Sequence, residues 1–196
     1  MTAPLPTRRE APARPVADPA APPAEGGRPL LAIRARDLVV GVADVKLARE
    51  PGQRLITYAL GSCLGIVIHD PVAGVAGLLH PMLPDSTIDR TKAELNPAMF
   101  VDTGVPLLFR ESYKLGAKKE RIVVKVAGGA HSGATEDADQ FQIGKRNFLM
   151  LRKLLWKNNV LLHAHDVGGC QTSRTMVVDV ATGAVTIRSQ GAETAL

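Results

Sequence analysis

The chain has 196 residues, of which 45% are hydrophobic and 22% charged, so it can bury one substantial core. No apolar run is long enough to form a membrane-spanning helix, and membrane insertion is not expected. The formal net charge is +5, but residues 37–196 carry 18 basic and 16 acidic side chains, which argues against a nucleic-acid-binding face.

The N-terminal segment differs in composition from the rest of the chain. Residues 1–30 hold eight of the fourteen prolines and few large apolar side chains. Such a segment cannot bury enough surface to offset the entropy of ordering. We therefore predict a disordered tail over residues 1–30, one domain over residues 31–190, and a frayed C-terminus over residues 191–196.

A β-hairpin is predicted in the first half of the domain. Residues 36–50 alternate well enough for one strand or two, and residues 55–60 form a further strand that carries Thr57. Two β-prone runs, residues 66–68 and 75–79, then flank turn residues that include Asp70 and Pro71.

The second half of the domain alternates helices and strands. Asn96 is a candidate N-cap for a helix ending at Lys114, with a kink or break at Pro106. A second amphipathic helix covers residues 144–158, and its basic face is most simply a solvated face. Further strands are expected at residues 121–126, 160–165, 174–180 and 185–188. These elements predict an α+β fold, a layered sandwich of mixed or antiparallel sheets flanked by helices.

The hairpin brings a cysteine and a histidine close together. A type I turn over residues 70–73 would pair Val67 with Ala76 and place Cys63 opposite His80, with small residues such as Gly65 leaving room for a substrate. A one-residue slip in this register would move His80 to the other face.

A thiol next to an imidazole indicates nucleophilic chemistry. Cys63 needs a neighbouring base to react near neutral pH, and His80 is the nearest candidate, so thiolate character is expected at Cys63. Thr57 could orient the imidazole, and the turn at Gly61 and Ser62 could offer backbone N–H groups to an oxyanion. The alternative is that Cys63 is a small core residue and His80 a satisfied buried polar residue.

The other candidate sites lack the residues that they would need. The turn at residues 128–130 is glycine-rich, but no basic residue and hydroxyl follow it, so no nucleotide site is expected. His163 and His165 alternate on one strand without an evident third ligand, and the two cysteines are far apart. We therefore expect no metal, no cofactor and no disulfide, as suits a cytoplasmic protein.

Several short motifs recur in an order that resembles the CheD family. They begin with Ile56-Thr57-Tyr58-Ala59-Leu60-Gly61-Ser62-Cys63, Asp70-Pro71 and His80-Pro81-Met82-Leu83-Pro84. Further matches follow at residues 115–117, 125–130, 143–147, 166–169 and 181–183. The resemblance covers roughly residues 39–188. Cys170 and a long acidic segment at residues 134–141 depart from the family pattern.

The resemblance implies a function, a site and partners. CheD proteins are chemoreceptor glutamine deamidases, and the family's catalytic cysteine, histidine and threonine would be Cys63, His80 and Thr57. The family's fold is similar to the catalytic domain of cytotoxic necrotising factor toxins. The implied partners are methyl-accepting chemoreceptors and a CheC-type phosphatase. The alternatives left open are hydrolysis of receptor methyl esters and an adaptor role for the phosphatase with minor catalysis.

Overall fold

In the part of the chain that it describes, the computed structural model contains two five-stranded sheets and three α-helices. The structure describes residues 36–133, 135 and 138–196, so the predicted tail over residues 1–30 lies outside the described residues. The strands are β1 (Asp37–Val39), β2 (Asp44–Ala48), β3 (Arg54–Leu60), β4 (Leu64–Asp70), β5 (Val75–His80), β6 (Val123–Gly128), β7 (Leu162–Val167), β8 (Arg174–Asp179), β9 (Val185–Ser189) and β10 (Ala192–Ala195). The helices are α1 (Arg90–Leu95), α2 (Val101–Lys114) and α3 (Ile143–Lys157).

Each sheet contains one parallel pair and is otherwise antiparallel. The first sheet has the order β1-β3-β8-β9-β10, with β1 parallel to β3. The second has the order β2-β5-β4-β6-β7, with β6 parallel to β7. The predicted α+β class with mixed sheets is therefore confirmed. None of the described helices is both long and apolar enough to span a membrane.

The core is divided into two layers by the second sheet. Side chains of successive residues in a strand point to opposite faces. On β4, Val67 belongs to the cluster shared with the first sheet, whereas Ile66 and Ile68 belong to the cluster shared with α2 and α3. All seven residues of β4 are buried. The fold thus has three layers, which are the first sheet, the second sheet and the helices. Cys63 directly precedes β4, the central strand of the second sheet.

The helix predicted over residues 96–114 is interrupted earlier than expected. A short 3₁₀ turn over Pro97–Met99 is capped by the Asn96 side chain, and α2 begins at Val101. A kink or a break was predicted at Pro106, and the break is wrong because Pro106 lies inside the continuous helix α2. Proline removes only one helical hydrogen bond, and the buried residues Val105 and Leu108 hold this segment against the second sheet.

Other boundaries also differ from the sequence prediction. Strands β6 (Val123–Gly128) and β7 (Leu162–Val167) each lie two residues later than expected. Residues 191–196 were expected to fray, but Ala192–Ala195 forms β10, which pairs antiparallel with β9. The backbone of β9 would otherwise be an open sheet edge, and pairing satisfies its hydrogen bonds even though the side chains of β10 are exposed.

Asp70 fixes the predicted hairpin turn. Its carboxylate accepts hydrogen bonds from Val72 N and Ala73 N in the turn, from Lys118 N, and from the Arg121 guanidinium. Burial alone would raise the pKa of Asp70, but these donors outweigh it and hold the pKa well below its usual range. A carboxyl group with a depressed folded-state pKa stabilises the fold above its unfolded pKa and loses that contribution as the pH falls through the folded pKa.

We predict that Asp70→Asn lowers the free energy of unfolding by about 2–4 kcal/mol at neutral pH, because Arg121 loses its buried partner. The difference from the wild type should narrow only below about pH 4. Urea denaturation across that range measures both effects. Glu111→Gln, which removes an exposed ion pair with Lys114, is the matched control and should cost about 0.5 kcal/mol or less.

Candidate active site

The register of the hairpin differs from the predicted one by two residues. Val67 lies opposite Leu78 and His69 opposite Ala76, so the predicted pairing of Val67 with Ala76 was wrong. The reason is a four-residue connection between Asp70 and Val75, which pair directly. Continued outward, the observed register places Gly65 opposite His80, and Cys63 is one diagonal position away. Because the shift is two residues, His80 stays on the face of the sheet that Cys63 and Gly65 share.

A hydrogen bond between the two sheets fixes the orientation of His80. The Thr57 hydroxyl on β3 lies 2.7 Å from His80 Nδ1 on β5, and it also donates to Val40 O at 2.8 Å. A threonine hydroxyl has one proton, and a carbonyl can only accept. His80 Nδ1 must therefore carry the proton that Thr57 accepts, which leaves Nε2 with a free lone pair.

His80 is poised as a neutral base. Its side chain is almost completely buried, at 1% exposure, and Nε2 has no hydrogen-bond partner within the described part of the chain. Burial lowers the pKa of His80 to about 4. At neutral pH the imidazole is therefore uncharged and able to accept a proton at Nε2.

Cys63 is a neutral thiol in the free protein. The residue is half-buried at the N-terminal end of β4 and packs against the core between the sheets. Burial raises the pKa of the thiol, and the residue's own backbone N–H opposes this only in part. The thiolate character expected from sequence is thus not supported for the resting site. A proton has to move from Cys63 to a base when the site reacts.

The loop that carries Cys63 is held by its backbone carbonyls. Gly129 N–H donates to Cys63 O and Ala130 N–H donates to Gly61 O, both at 2.8 Å. A Cβ at Gly128, which has φ +110°, would collide with Cys63 O, so this position requires glycine. Within the described ranges, the N–H groups of Ser62 and Cys63 donate to no other residue.

Asn147 on α3 links the loop that precedes Cys63 to the segment that follows His80. Sequence reasoning missed this role. Its Nδ2 donates to Ser62 O at 3.0 Å and to Met82 O at 2.9 Å, and the residue is fully buried. Rotating the carboxamide would place Oδ1 against two carbonyl oxygens, so the orientation is fixed. A polar residue on the buried face of an otherwise amphipathic helix was the available signal.

The space predicted beside Gly65 is occupied. A Cβ at Gly65 would lie 2.8 Å from Leu60 Cδ1 and 2.9 Å from Met176 Sδ. Leu60 reaches this position after a bulge in β3, where Ala59 has φ +56° and the pairing with β8 shifts. The interior of the sandwich beside Gly65 is therefore filled and leaves no room for a substrate there.

The second cysteine and the two alternate histidines lie in other settings. Cys170 is exposed, with Sγ 3.2 Å from Gly133 O. His163 Nδ1 accepts a hydrogen bond from Val124 N on the neighbouring strand. Among the residues described, no three His, Cys, Asp or Glu side chains come together in a cluster that could hold a metal ion.

This chain resembles known proteins over most of its length. A family model described as CheD chemotactic sensory transduction matches residues 82–189, which is more than half of the chain. The chain belongs to the CheD family. The matched segment begins two residues after His80, so the assignment of Thr57, Cys63 and His80 rests on geometry and on the sequence motifs.

Curated CheD relatives are similar over most of their length. The chain is 47% identical to the probable chemoreceptor glutamine deamidase CheD 1 of Syntrophus aciditrophicus, over 79% of this chain and 95% of the relative. It is 46% identical to the probable chemoreceptor glutamine deamidase CheD of Solibacter usitatus, over 79% of this chain and 89% of the relative. The corresponding protein of Thermococcus kodakarensis is 40% identical over 78% of this chain and 92% of the relative.

A neutral thiol and a neutral imidazole predict a specific pH dependence of alkylation. In a Cys170→Ser background, the rate of Cys63 labelling by iodoacetamide should rise continuously from neutral into alkaline pH, because burial raises the thiol pKa. A rate that is already constant from acid into neutral pH would instead indicate a preformed thiolate–imidazolium pair, in which the thiol pKa is lowered and His80 remains charged. Quantification of alkylated peptide by mass spectrometry at each pH separates the two outcomes.

Proposed function

We propose that this CheD protein is a chemoreceptor glutamine deamidase in which Cys63 is the nucleophile, His80 the general base and acid, and Thr57 the residue that positions His80. The names of the relatives supply the reaction and the receptor substrate. The observation that carries the residue assignment is the hydrogen bond from His80 Nδ1 to Thr57 Oγ1, which leaves Nε2 unprotonated on the side of the sheet that Cys63 shares.

The first half of the reaction forms a thioester. Cys63 Sγ attacks the carboxamide carbon of a receptor glutamine as His80 Nε2 takes the thiol proton. His80 then donates this proton to the leaving nitrogen, the C–N bond breaks, and ammonia departs. Proton transfer in the transition state avoids the buried ion pair that the resting site disfavours, because burial raises the thiol pKa and lowers the imidazole pKa.

The second half of the reaction hydrolyses the thioester. His80 Nε2 removes a proton from water as the water oxygen attacks the thioester carbon. The C–S bond breaks, the sulfur recovers a proton, and the glutamine has become a glutamate. The N–H groups of Ser62 and Cys63 are suited to the developing oxyanion, because Cys63 O and Gly61 O are already held by Gly129 and Ala130.

Several finer points extend this proposal. The same acyl chemistry would accept a glutamate methyl ester, with methanol in place of ammonia as the leaving group.

An adaptor role toward a CheC-type phosphatase is the second candidate, and it requires neither Cys63 nor His80. We also propose a cytoplasmic location and the layered fold of the cytotoxic necrotising factor catalytic domain, and the fold likeness can be measured by superposition.

The function is tested by incubating the protein with a purified chemoreceptor cytoplasmic fragment. Ammonia release and glutamate formation at individual glutamines, read by mass spectrometry, are expected for the wild type. Cys63→Ser and His80→Ala should lose about 10²- to 10⁴-fold in rate with the fold retained. Cys170→Ser is the matched control and should keep its activity. Full activity in the Cys63→Ser variant would overturn the assignment of the nucleophile. No activity in the wild type would overturn the deamidase proposal and favour the adaptor role.

Thr57 can be tested by two conservative substitutions. Thr57→Ser keeps a hydroxyl between Val40 and His80 and should stay within about threefold of wild-type kcat. Thr57→Val keeps the shape but cannot accept from Nδ1, so kcat should fall about 10- to 100-fold. The His80 tautomer, observed by nitrogen NMR, should become mixed in Thr57→Val alone. Equal activity of the two variants would remove Thr57 from the mechanism.

Asn147 should affect turnover more than substrate binding. In Asn147→Ala the carbonyls of Ser62 and Met82 lose their shared donor, at a cost of about 1–3 kcal/mol in stability. We expect kcat to fall about tenfold with KM nearly unchanged, because the cysteine and histidine segments lose their alignment. Asn158→Ala, which removes an exposed side-chain bond to Leu154 O at the end of the same helix, is the control. A change in KM alone would argue against a positioning role.

A further inference from the structure

The exposed face of α3 combines positive charge with unburied apolar side chains. The helix carries five basic residues and no acidic residue. Trp156 is 82% exposed and Leu149 51% exposed. Solvation accounts for the exposure of the lysines and arginines. It does not account for the exposure of the large aromatic side chain of Trp156.

The spacing of these side chains is that of a helix-pairing seam. Leu149 and Trp156 are seven residues apart, and so are the exposed residues Arg146 and Lys153. Side chains seven residues apart lie on the same line along a helix. On α3 the apolar pair forms one such line, and the basic pair forms a second line beside it. We call these four residues the α3 stripe. It is about 15 Å long, at 1.5 Å of rise per residue.

The stripe begins beside the candidate active site. Arg146 precedes Asn147, which bonds to Ser62 O next to Cys63 and to Met82 O. Arg146, Leu149 and Lys153 also line an open cleft of about 290 Å³ together with Pro84 and Asp85, which follow soon after His80. The cleft thus borders the segment that follows His80, and the first residue of the stripe is next in sequence to the residue that binds the cysteine loop.

We propose that the α3 stripe is the docking surface for an amphipathic helix of the receptor substrate, with acidic residues beside its apolar seam. The inference rests on the proposed function, because it names the part of the receptor that is held while a glutamine reacts. Charge complementarity supports an acidic partner, and the two seven-residue lines on α3 have the spacing that a second helix can match. The partner helix would bury Trp156 and Leu149, and its carboxylates would meet Arg146 and Lys153.

Trp156 provides a direct readout, because it is the one tryptophan in the sequence. Titration of the wild type with a receptor cytoplasmic fragment at low salt should shift Trp156 emission to shorter wavelength as the indole leaves water. The shift should weaken as salt is added. This measurement requires no turnover, so it tests the surface even if deamidation fails. Unchanged emission at saturating fragment would overturn the proposal.

Charge reversal supplies the second measurement. Arg146→Glu combined with Lys153→Glu should raise KM for the receptor fragment about tenfold or more at low salt, with kcat retained. Turnover of a short unstructured glutamine peptide should be unaffected by the change. Arg110→Glu, an exposed charge reversal on α2, is the matched control and should behave as wild type. Circular dichroism checks that each variant is folded.

The outcomes separate the surface from the chemistry. Normal KM for the receptor fragment in the double variant would overturn the docking proposal and leave the deamidase proposal intact. If the wild type shows a salt-sensitive shift of Trp156 emission but no turnover, the docking proposal stands and the deamidase proposal is overturned. If the double variant loses binding to phosphatidylglycerol vesicles while receptor binding is normal, the stripe serves a lipid surface and the receptor proposal is wrong.

Discussion

The site depends on one buried chain of hydrogen bonds, from His80 Nδ1 to Thr57 Oγ1 and from Thr57 to Val40 O. Thr57 belongs to the first sheet and His80 to the second, so the bond crosses the core between them. Because the threonine has one proton to give, the chain has a single direction, and the direction determines which imidazole nitrogen is basic. The packing of two sheets thus sets the tautomer of one side chain, and a change in their spacing would alter the chemistry before it altered the fold.

The residues around this hydrogen bond hold the backbone of the cysteine loop in place, not its side chains. Carbonyls of the cysteine loop are bound by Gly129, Ala130 and Asn147, and Gly128 permits the close approach. This arrangement leaves the N–H groups of Ser62 and Cys63 without acceptors in other described residues. A loop fixed by its carbonyls presents its donors rigidly, which is what an oxyanion requires, since little reorganisation remains for the reaction itself.

Much of the fold could be predicted from the sequence, and the catalytic roles of Cys63 and His80 remain the proposal that motif order suggested. Period-2 patterning found β3, β4 and β5. The register was wrong by two residues, because the turn length depends on the Asp70 side chain binding the backbone of Val72 and Ala73. The pKa of Cys63 depends on burial by residues distant in sequence, and so does the role of Asn147. Neither is encoded in local spacing.

The uncharged state of the cysteine also bears on how the protein survives oxidants. Peroxide attacks thiolates, and its rate follows the thiolate fraction and the access of the sulfur. A half-buried Cys63 whose pKa is raised by burial exposes little of the reactive species while no substrate is bound. Under the proposed mechanism, proton transfer forms the thiolate only when substrate is bound, so the idle site should resist conversion to sulfenic and sulfinic acids.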